Sequence, residues 1–268
     1  SHGFDLKKDW LEISVCAQHN NGGLFANNRW ESNIKHFFPV GECAGTFGIY
    51  RPGGSALNNT QVSSLRAAEY IAAKYNNPPR DNRRFLILGE KQIQRIVKTA
   101  GSLLSAKSEV SNIEEELDAV KRIMSKTGGH IRNPGEIKSA LEHLKDRILR
   151  FTEIMKIKDS KELGPALKNK DLFITAYVYL SAILDYIRKG GKSRGSYLIL
   201  DEFFDDITEE VIEGITIDTD TTKSKVQIVS YDEKNVSCTV TYENTRPIPD
   251  RDTWFETVWN KFLENKIF

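Results

Sequence analysis

The segment between Val40 and Asn58 constrains the fold of this chain more than any other part of its sequence. It has the sequence VGECAGTFGIYRPGGSALN, in which an apolar residue leads into glycine and an acid, then further glycines, then helix-forming residues. Glycine lets the backbone turn sharply and approach another group closely. The first turn of a helix presents amides that stabilise anionic or electron-rich atoms. The pattern predicts a strand, a close turn and a helix N-terminus beside such a ligand, or else a tight structural turn with no ligand.

A helix is predicted directly after Gly53 and Gly54. Its apolar residues recur at helical spacing, at Leu57, Val62, Leu65, Ala68, Ile71 and Ala72. Two short apolar runs earlier in the chain, Leu11 to Ala17 and Phe37 to Val40, are typical of buried strands. The sequence GxGxxG does not occur, so the chain carries no dinucleotide fingerprint of its own.

Three segments differ in sequence pattern. Residues 4–75 are rich in glycine and asparagine, residues 76–192 are helical in period after the polar, proline-bearing linker Asn76 to Arg84, and residues 193–268 alternate like strands before a last amphipathic helix. The middle segment predicts a bundle of four to five helices. The whole pattern predicts an α+β protein dominated by helices.

Local signals mark several of these elements. Ser111 with Glu114 has the spacing of a capping box, and Asn133 with Pro134 fits an N-cap and a first-turn proline. A further helix is predicted from Lys170 to Lys189. Strands are predicted at Tyr197 to Leu200, at Val226 to Val229, and over the alternating residues Val236, Cys238, Val240 and Tyr242.

Composition argues against several classes of partner. The chain has 268 residues, with 38 Lys and Arg against 37 Asp and Glu, which gives no global field to attract nucleic acid or an anionic membrane. Its three cysteines form no CxxC pair, so the sequence predicts neither a zinc site nor a disulfide framework and favours a reducing cytoplasm. No apolar run approaches the length of a membrane span. The first residues, Ser1-His2-Gly3, look like a cloning scar, so we expect the sequence to begin inside a longer protein.

The residues at the start of the chain carry a resemblance to a known family. They are Gln18-His19-Asn20-Asn21-Gly22-Gly23-Leu24, then Phe38-Pro39-Val40-Gly41-Glu42, then RPGGSALN from Arg51 to Asn58, and Arg66-Ala67-Ala68. This set resembles the FAD-binding and active-site core of the succinate dehydrogenase/fumarate reductase flavoproteins, and within them a bacterial branch with the RPGGSALN motif. Downstream, Ser193-Arg194-Gly195-Ser196-Tyr197 is similar to the family's Arg-Gly-Ala-His segment, with Ser196 and Tyr197 in place of Ala and His. Arg246-Pro247-Ile248-Pro249 and the residues from Trp254 to Phe268 look like the tail of the same branch.

The resemblance implies roles for particular residues. It implies that Gly41 and Glu42 contact FAD, with the Glu42 carboxylate on ribityl or ribose hydroxyls. It implies that Gly54 and the helix start at Ser55, Ala56, Leu57 and Asn58 line the flavin. His19 matches a substrate-side histidine, and Arg51 matches an arginine that clamps a substrate carboxylate, for which a planar bidentate donor is suited. Phe47, Tyr50 and Pro52 depart from the commonest dehydrogenase pattern, so the resemblance does not imply a dicarboxylate.

The family's N-terminal glycine fingerprint, which holds the FAD pyrophosphate, is not in this sequence. We therefore expect a C-terminal fragment of an oxidoreductase, with 4–75 a segment of its FAD-binding domain, and we expect the fragment to be inactive and to bind little or no FAD. The expected partners are the missing N-terminal part, a small-molecule substrate, a second copy of the chain and an electron-transfer subunit. Two alternatives remain: a helical interaction module at Asn76 to Gly191, and a degenerate flavoprotein that serves as a scaffold.

Overall fold

A computed structural model describes residues 7–8, 10, 22–47, 54–75, 77, 82–106, 108–200, 215, 217, 224–245, 254–264 and 266. The chain forms two compact units, one of residues 1–79 with 249–268 and one of residues 80–248. These units divide the chain differently from the predicted segments 4–75, 76–192 and 193–268. The strands of the last segment belong to the second unit because they pack on a helix of the middle segment, while the last helix belongs to the first unit.

The first unit contains a short 3₁₀ helix, Gly41–Ala44, and the predicted helix after the paired glycines, α1, Ser55–Lys74. The last helix of the chain, Trp254–Leu263, also belongs to it. The predicted strand at Phe37 to Val40 is wrong, since these residues form no strand. The amide of Phe37 donates to the carbonyl of Ile34 and its carbonyl accepts from Ser32, so the backbone closes a turn instead of joining a ladder. The predicted strand at Leu11 to Ala17 lies outside the described residues.

The second unit is a helical bundle. Its elements are α2, Asn82–Ser105; α3, Ile113–Thr127; α4, Pro134–Leu149; α5, Phe151–Ile154; a 3₁₀ turn, Ser160–Glu162; and α6, Leu163–Arg188. Helices α3, α4 and α6 pack against each other around Ile137, Leu144, Phe173 and Leu180, each no more than 1% exposed. Five α-helices in this region agree with the predicted bundle.

The helix starts separate a local signal from nonlocal ones. Asn133 caps α4 as predicted, because its side chain accepts from the amides of Gly135 and Glu136. The capping box at Ser111 and Glu114 is wrong: α3 starts at Ile113 with Asn112 as N-cap. The Asn112 side chain is engaged elsewhere, where it donates to the carbonyl of Ile154 at 3.0 Å and accepts from the amide of Lys156 at 2.8 Å.

Two other helices begin earlier than predicted. Helix α2 begins at Asn82, inside the predicted linker Asn76 to Arg84. Helix α6 begins at Leu163 instead of Lys170, with Pro165 in its first turn, where the missing amide costs no helical hydrogen bond.

Two small sheets complete the second unit. Strands β1, Ile131–Arg132, and β2, Leu198–Ile199, pair in parallel, so the predicted strand at Tyr197 to Leu200 is shorter than expected. Strands β3, Lys225–Asp232, and β4, Ser237–Asn244, form an antiparallel hairpin in the register Lys225 to Asn244 through Asp232 to Ser237. The hairpin packs on α6. Within the described residues, no helix has both the length and the apolarity that a bilayer crossing requires.

Candidate functional site

The predicted turn at Gly41 packs tightly on α1. Gly41 is buried with a positive φ of 73°, and its amide donates to the hydroxyl of Ser63 at 3.2 Å. The Ser63 hydroxyl, fully buried, donates onward to the carbonyl of Thr60 at 3.1 Å. A Cβ at position 41 would come within 3.0 Å of the Thr60 hydroxyl. Glycine is therefore required here both by backbone conformation and by space.

A second glycine segment crosses this turn at backbone contact distance. The amide of Leu24 donates to the carbonyl of Cys43 at 2.7 Å. A Cβ on Gly23 would lie 2.3 Å from that carbonyl oxygen, and a Cβ on Gly45, where φ is 67°, would lie 2.6 Å from the backbone of Gly22. The chain that follows position 19 is thus held against the chain that follows Glu42, and only glycines permit this approach.

The N-terminus of α1 is presented beyond the turn. Gly54 is its N-cap with φ 86°, and since glycine has no side chain it offers no side-chain acceptor to the first-turn amides. A Cβ at Gly54 would meet nothing within 4 Å, so this corner lies in open space among the described residues. The hydroxyl of Thr46, shortly after the turn, donates to the side chain of Asn59 at 3.2 Å and ties the turn to this end of the helix.

The other end of α1 anchors the loop that leads into the turn. Tyr75 donates a short hydrogen bond to the carboxylate of Glu31, which also accepts from the amide of His36 at 3.0 Å. The Tyr75 bond and then the His36 amide hold the pKa of Glu31 below its usual range. The same bond raises the pKa of Tyr75 to about 12. These contacts make the loop before Gly41 and helix α1 one packed element.

The structure brings most of the predicted cofactor residues into this one region. Gly41 and Glu42 lie in the 3₁₀ helix, with Glu42 exposed. At the start of α1, Ser55 and Ala56 are half-buried, whereas Leu57 and Asn58 are exposed. The predicted catalytic residues, His19 and Arg51, lie outside the described residues.

Sequence reasoning missed the residues that join the turn to the helix. Thr60, Ser63 and Ala67 are small and recur at three- and four-residue spacing, so they form one face of α1. Ser63 and Ala67 are the two buried residues of the helix. A run of small residues at that spacing was the available signal for close packing.

The segment that resembles Arg-Gly-Ala-His lies in the second unit and has a structural role there. The Tyr197 ring carries the guanidinium of Arg132 over its face at 3.9 Å and meets the ring of Tyr186 edge-on. Burial lowers the pKa of Arg132. The hydroxyl of Ser193, 2% exposed, accepts from the amide of Ile199 at 2.8 Å. These contacts pin the β1–β2 pair to the end of α6.

Other potential sites are poorer candidates. Two open hollows between α3 and α4, of about 350 and 600 Å³, share the Lys126–Glu136 ion pair, at 2.6 Å, and contain none of the predicted residues. Over the described part of the chain, no group of three or more His, Cys, Asp or Glu side chains is placed to hold a metal ion.

Comparison with known sequences identifies relatives of one kind. An uncharacterised FAD-dependent oxidoreductase of Methanocaldococcus jannaschii is 31% identical over 196 residues, which is 73% of this chain and 34% of that protein. The CoM/CoB fumarate reductase of Methanothermobacter marburgensis has one subunit that is 27% identical over 203 residues, again 73% of this chain and 34% of the relative. A fumarate reductase flavoprotein subunit of Helicobacter pylori is 21% identical over 204 residues, with 71% of this chain and 27% of the relative covered. No family model matches the chain.

Solved structures agree on the fold. A quinol-fumarate reductase with menaquinol molecules matches 87% of this chain and 38% of its own with a TM-score of 0.62 at 18% identity. An E. coli quinol fumarate reductase variant matches with a TM-score of 0.61 at 19% identity. The chain belongs with the flavoproteins of the succinate dehydrogenase/fumarate reductase family, as the resemblance predicted. It spans about a third of the length of the curated relatives that it matches.

Proposed function

We propose that residues 22–58 form one wall of the flavin site of a longer FAD-dependent oxidoreductase, whose full chain moves hydride between the flavin and a small organic acid or related compound. The observation that carries this proposal is the packing of the Gly41 turn against α1, whose N-terminus follows Gly54 in open space. This packing places an exposed carboxylate, Glu42, on the same packed element as a helix N-terminus.

The residues present fit a flavin. Crossed glycines at Gly22, Gly23 and Gly45 leave no side chains over the turn, so a planar ring can approach backbone closely. The amides at the start of α1 carry the positive end of the helix dipole, which suits a ring that accumulates negative charge on reduction. Glu42 would accept hydrogen bonds from ribityl or ribose hydroxyls. A bound flavin supplies the hydride chemistry, and these residues orient it and favour its reduced form.

His19 and Arg51 are proposed to face the substrate. Each adjoins this wall in sequence: His19 lies three residues before Gly22, and Arg51 three before Gly54. A guanidinium at position 51 would hold a substrate carboxylate through two parallel hydrogen bonds. A histidine at position 19 would orient the same substrate and stabilise developing charge.

The test compares the full-length parent with its Arg51→Ala variant. We expect both to retain FAD, and we expect electron transfer to candidate organic acids to be lost in the variant. Arg122→Ala is the matched control, because Arg122 is an exposed arginine on α3 in the other unit. Equal activity in Arg51→Ala and Arg122→Ala would contradict the role given to Arg51.

The chain of 268 residues is proposed to bind FAD weakly by itself. It has no dinucleotide fingerprint to hold the pyrophosphate. Titration of the purified chain with FAD measures this directly. A chain that purifies yellow with tightly held flavin would contradict the proposal.

A further inference from the structure

Helix α2 carries an apolar stripe that starts in the bundle core and continues without cover. Phe85, Gly89, Ile93, Ile96, Ala100 and Leu103 recur at three- and four-residue intervals and so lie on one face. Leu103, at the core end, is 1% exposed and belongs to the main hydrophobic cluster. Farther along the same stripe, Ile96 is 60% exposed and Phe85 70% exposed. Val97, at its edge, is 63% exposed.

The rotation of α2 about its axis is determined by contacts away from the stripe. The guanidinium of Arg95 pairs with the carboxylate of Glu233 in the β3–β4 turn at 2.8 Å. The other cations of the helix interior lie on the same side as Arg95, opposite the stripe; they are Arg84, Lys91 and Lys98. At the core end, Leu103 and Leu104 pack into the bundle. The exposed part of the stripe therefore points away from the elements that hold the helix.

Gly89 gives the stripe a second unusual property. It lies in the helix interior, where glycine is destabilising relative to alanine. A Cβ at this position would meet only the Ile93 Cδ1 atom, at 3.9 Å, so nothing within the described residues requires a glycine. A glycine in the middle of an apolar face suits the close approach of another backbone.

We propose that this stripe, the Phe85–Ala100 face of α2, is a docking surface for a part of the parent flavoprotein that lies outside these 268 residues. The occupant is an apolar segment whose backbone passes close to Gly89. This inference rests on the proposed function, since it requires a longer parent. It is supported by the lengths of the relatives: the chain spans 34% of the first two and 38% of a solved fumarate reductase chain that matches 87% of it. Most of such a chain is available to cover a face that this portion leaves exposed.

Cysteine labelling tests the surface directly. Ile96→Cys and the control Gln94→Cys place thiols on opposite sides of α2, at positions exposed in the structure. Peptide mapping separates them from Cys16, Cys43 and Cys238. In the 268-residue chain we expect both to react with a maleimide at similar rates. In the full-length parent we expect labelling at position 96 to slow by about tenfold or more, as for a site that opens rarely, and labelling at position 94 to be unchanged. Equal rates at both positions in the parent would overturn the proposal.

The other possible occupants give distinct results. Protection of position 96 in the 268-residue chain that grows with protein concentration would assign the face to a second copy. Protection that appears only with vesicles of anionic phospholipid would assign it to a membrane surface. Either result overturns the proposal.

Substitution of Gly89 tests the close approach. Gly89→Leu is expected to lower the unfolding midpoint of the parent but not that of the 268-residue chain. Gly101→Leu is the matched control, since it lies on the same helix outside the stripe in equally open space. A parent that tolerates Gly89→Leu as well as Gly101→Leu would overturn a backbone contact at this point.

The flavin content of the same parent samples separates this inference from the proposed function. Protection at position 96 in a parent that binds no flavin supports docking and rejects the flavin site. Bound flavin without protection leaves the flavin site intact and overturns docking.

Discussion

The backbone amide of Gly41 donates a hydrogen bond to the buried hydroxyl of Ser63 at 3.2 Å, which joins the residue before Glu42 to the middle of α1. The bond holds a turn with a positive φ against a helix face made of small residues. The position of Glu42 relative to the helix therefore depends on packing that no larger residue at position 41 would allow.

Gly41→Ala should destabilise the first unit by about 1–2 kcal/mol, because alanine is strained at this φ and its Cβ would press on Thr60. Tryptophan fluorescence during urea unfolding measures this, since all four tryptophans belong to that unit.

Gly190→Ala is the control for Gly41→Ala. Gly190 has a similar φ of 85° but open space around a Cβ, so it reports the conformational cost alone. Its effect is read in the second unit by circular dichroism. A Gly41→Ala chain with an unchanged fluorescence midpoint would contradict the close packing described here.

Arg147→Met should destabilise the helical unit by about 3 kcal/mol, because it leaves the carboxylate of Glu116 buried without its partner. The Glu116 side chain is only 8% exposed. Urea unfolding followed by far-ultraviolet circular dichroism measures the change. Adding Glu116→Leu to Arg147→Met should recover part of the loss. Arg150→Met, which breaks exposed ion pairs only, should cost about 1 kcal/mol or less, and a similar cost for both arginines would contradict the burial of the Arg147 pair.

Tyr242→Phe should loosen the hairpin by about 1 kcal/mol, because its hydroxyl donates to Asp185 at 2.9 Å and accepts from Gln227 at 3.0 Å. Burial, and then the Asp185 bond, raise the pKa of Tyr242 to about 12. A group whose pKa is raised on folding stabilises fully below its unfolded pKa. This contribution is therefore present below about pH 10 and is lost as the pH rises towards 12.

Ultraviolet titration of phenolate checks the Tyr242 prediction. The difference between wild type and Tyr242→Phe should appear near pH 12 in the folded chain and near pH 10 in urea. A difference that titrates near pH 10 in both states would rule out the hydrogen-bonded, buried hydroxyl.

The elements that sequence predicts well are those with local signals. The Asn133–Pro134 start of α4 needs only an acceptor and a fixed φ, and both belong to the residues themselves. The alternation in β4 likewise marks a half-buried strand, and the helix after Gly54 follows from its apolar spacing.

The errors arise where a distant residue decides the local structure. Asn112 displaces the predicted cap at Ser111 because its side chain is held by the backbone of residues 154 and 156. The parallel pairing of β1 with β2 joins segments far apart in sequence, which no local pattern marks.

The candidate site shows the same division. The glycine motif predicted a close turn and a helix N-terminus, and the structure places them together. The crossing of Gly22 and Gly23 over Cys43 and Gly45 depends on nonlocal contacts, which glycine content alone does not specify. The roles of His19 and Arg51 stay predictions.

Flavin binding by the full-length parent tests the central claim most directly. The account predicts absorbance bands near 450 nm in the purified parent. It also predicts that Glu42→Ala weakens FAD binding by about tenfold or more, as expected when hydrogen bonds to a charged group are lost. Glu69→Ala, on α1 in the same unit, should leave binding unchanged. A colourless parent that gains no bands with added FAD would contradict the account.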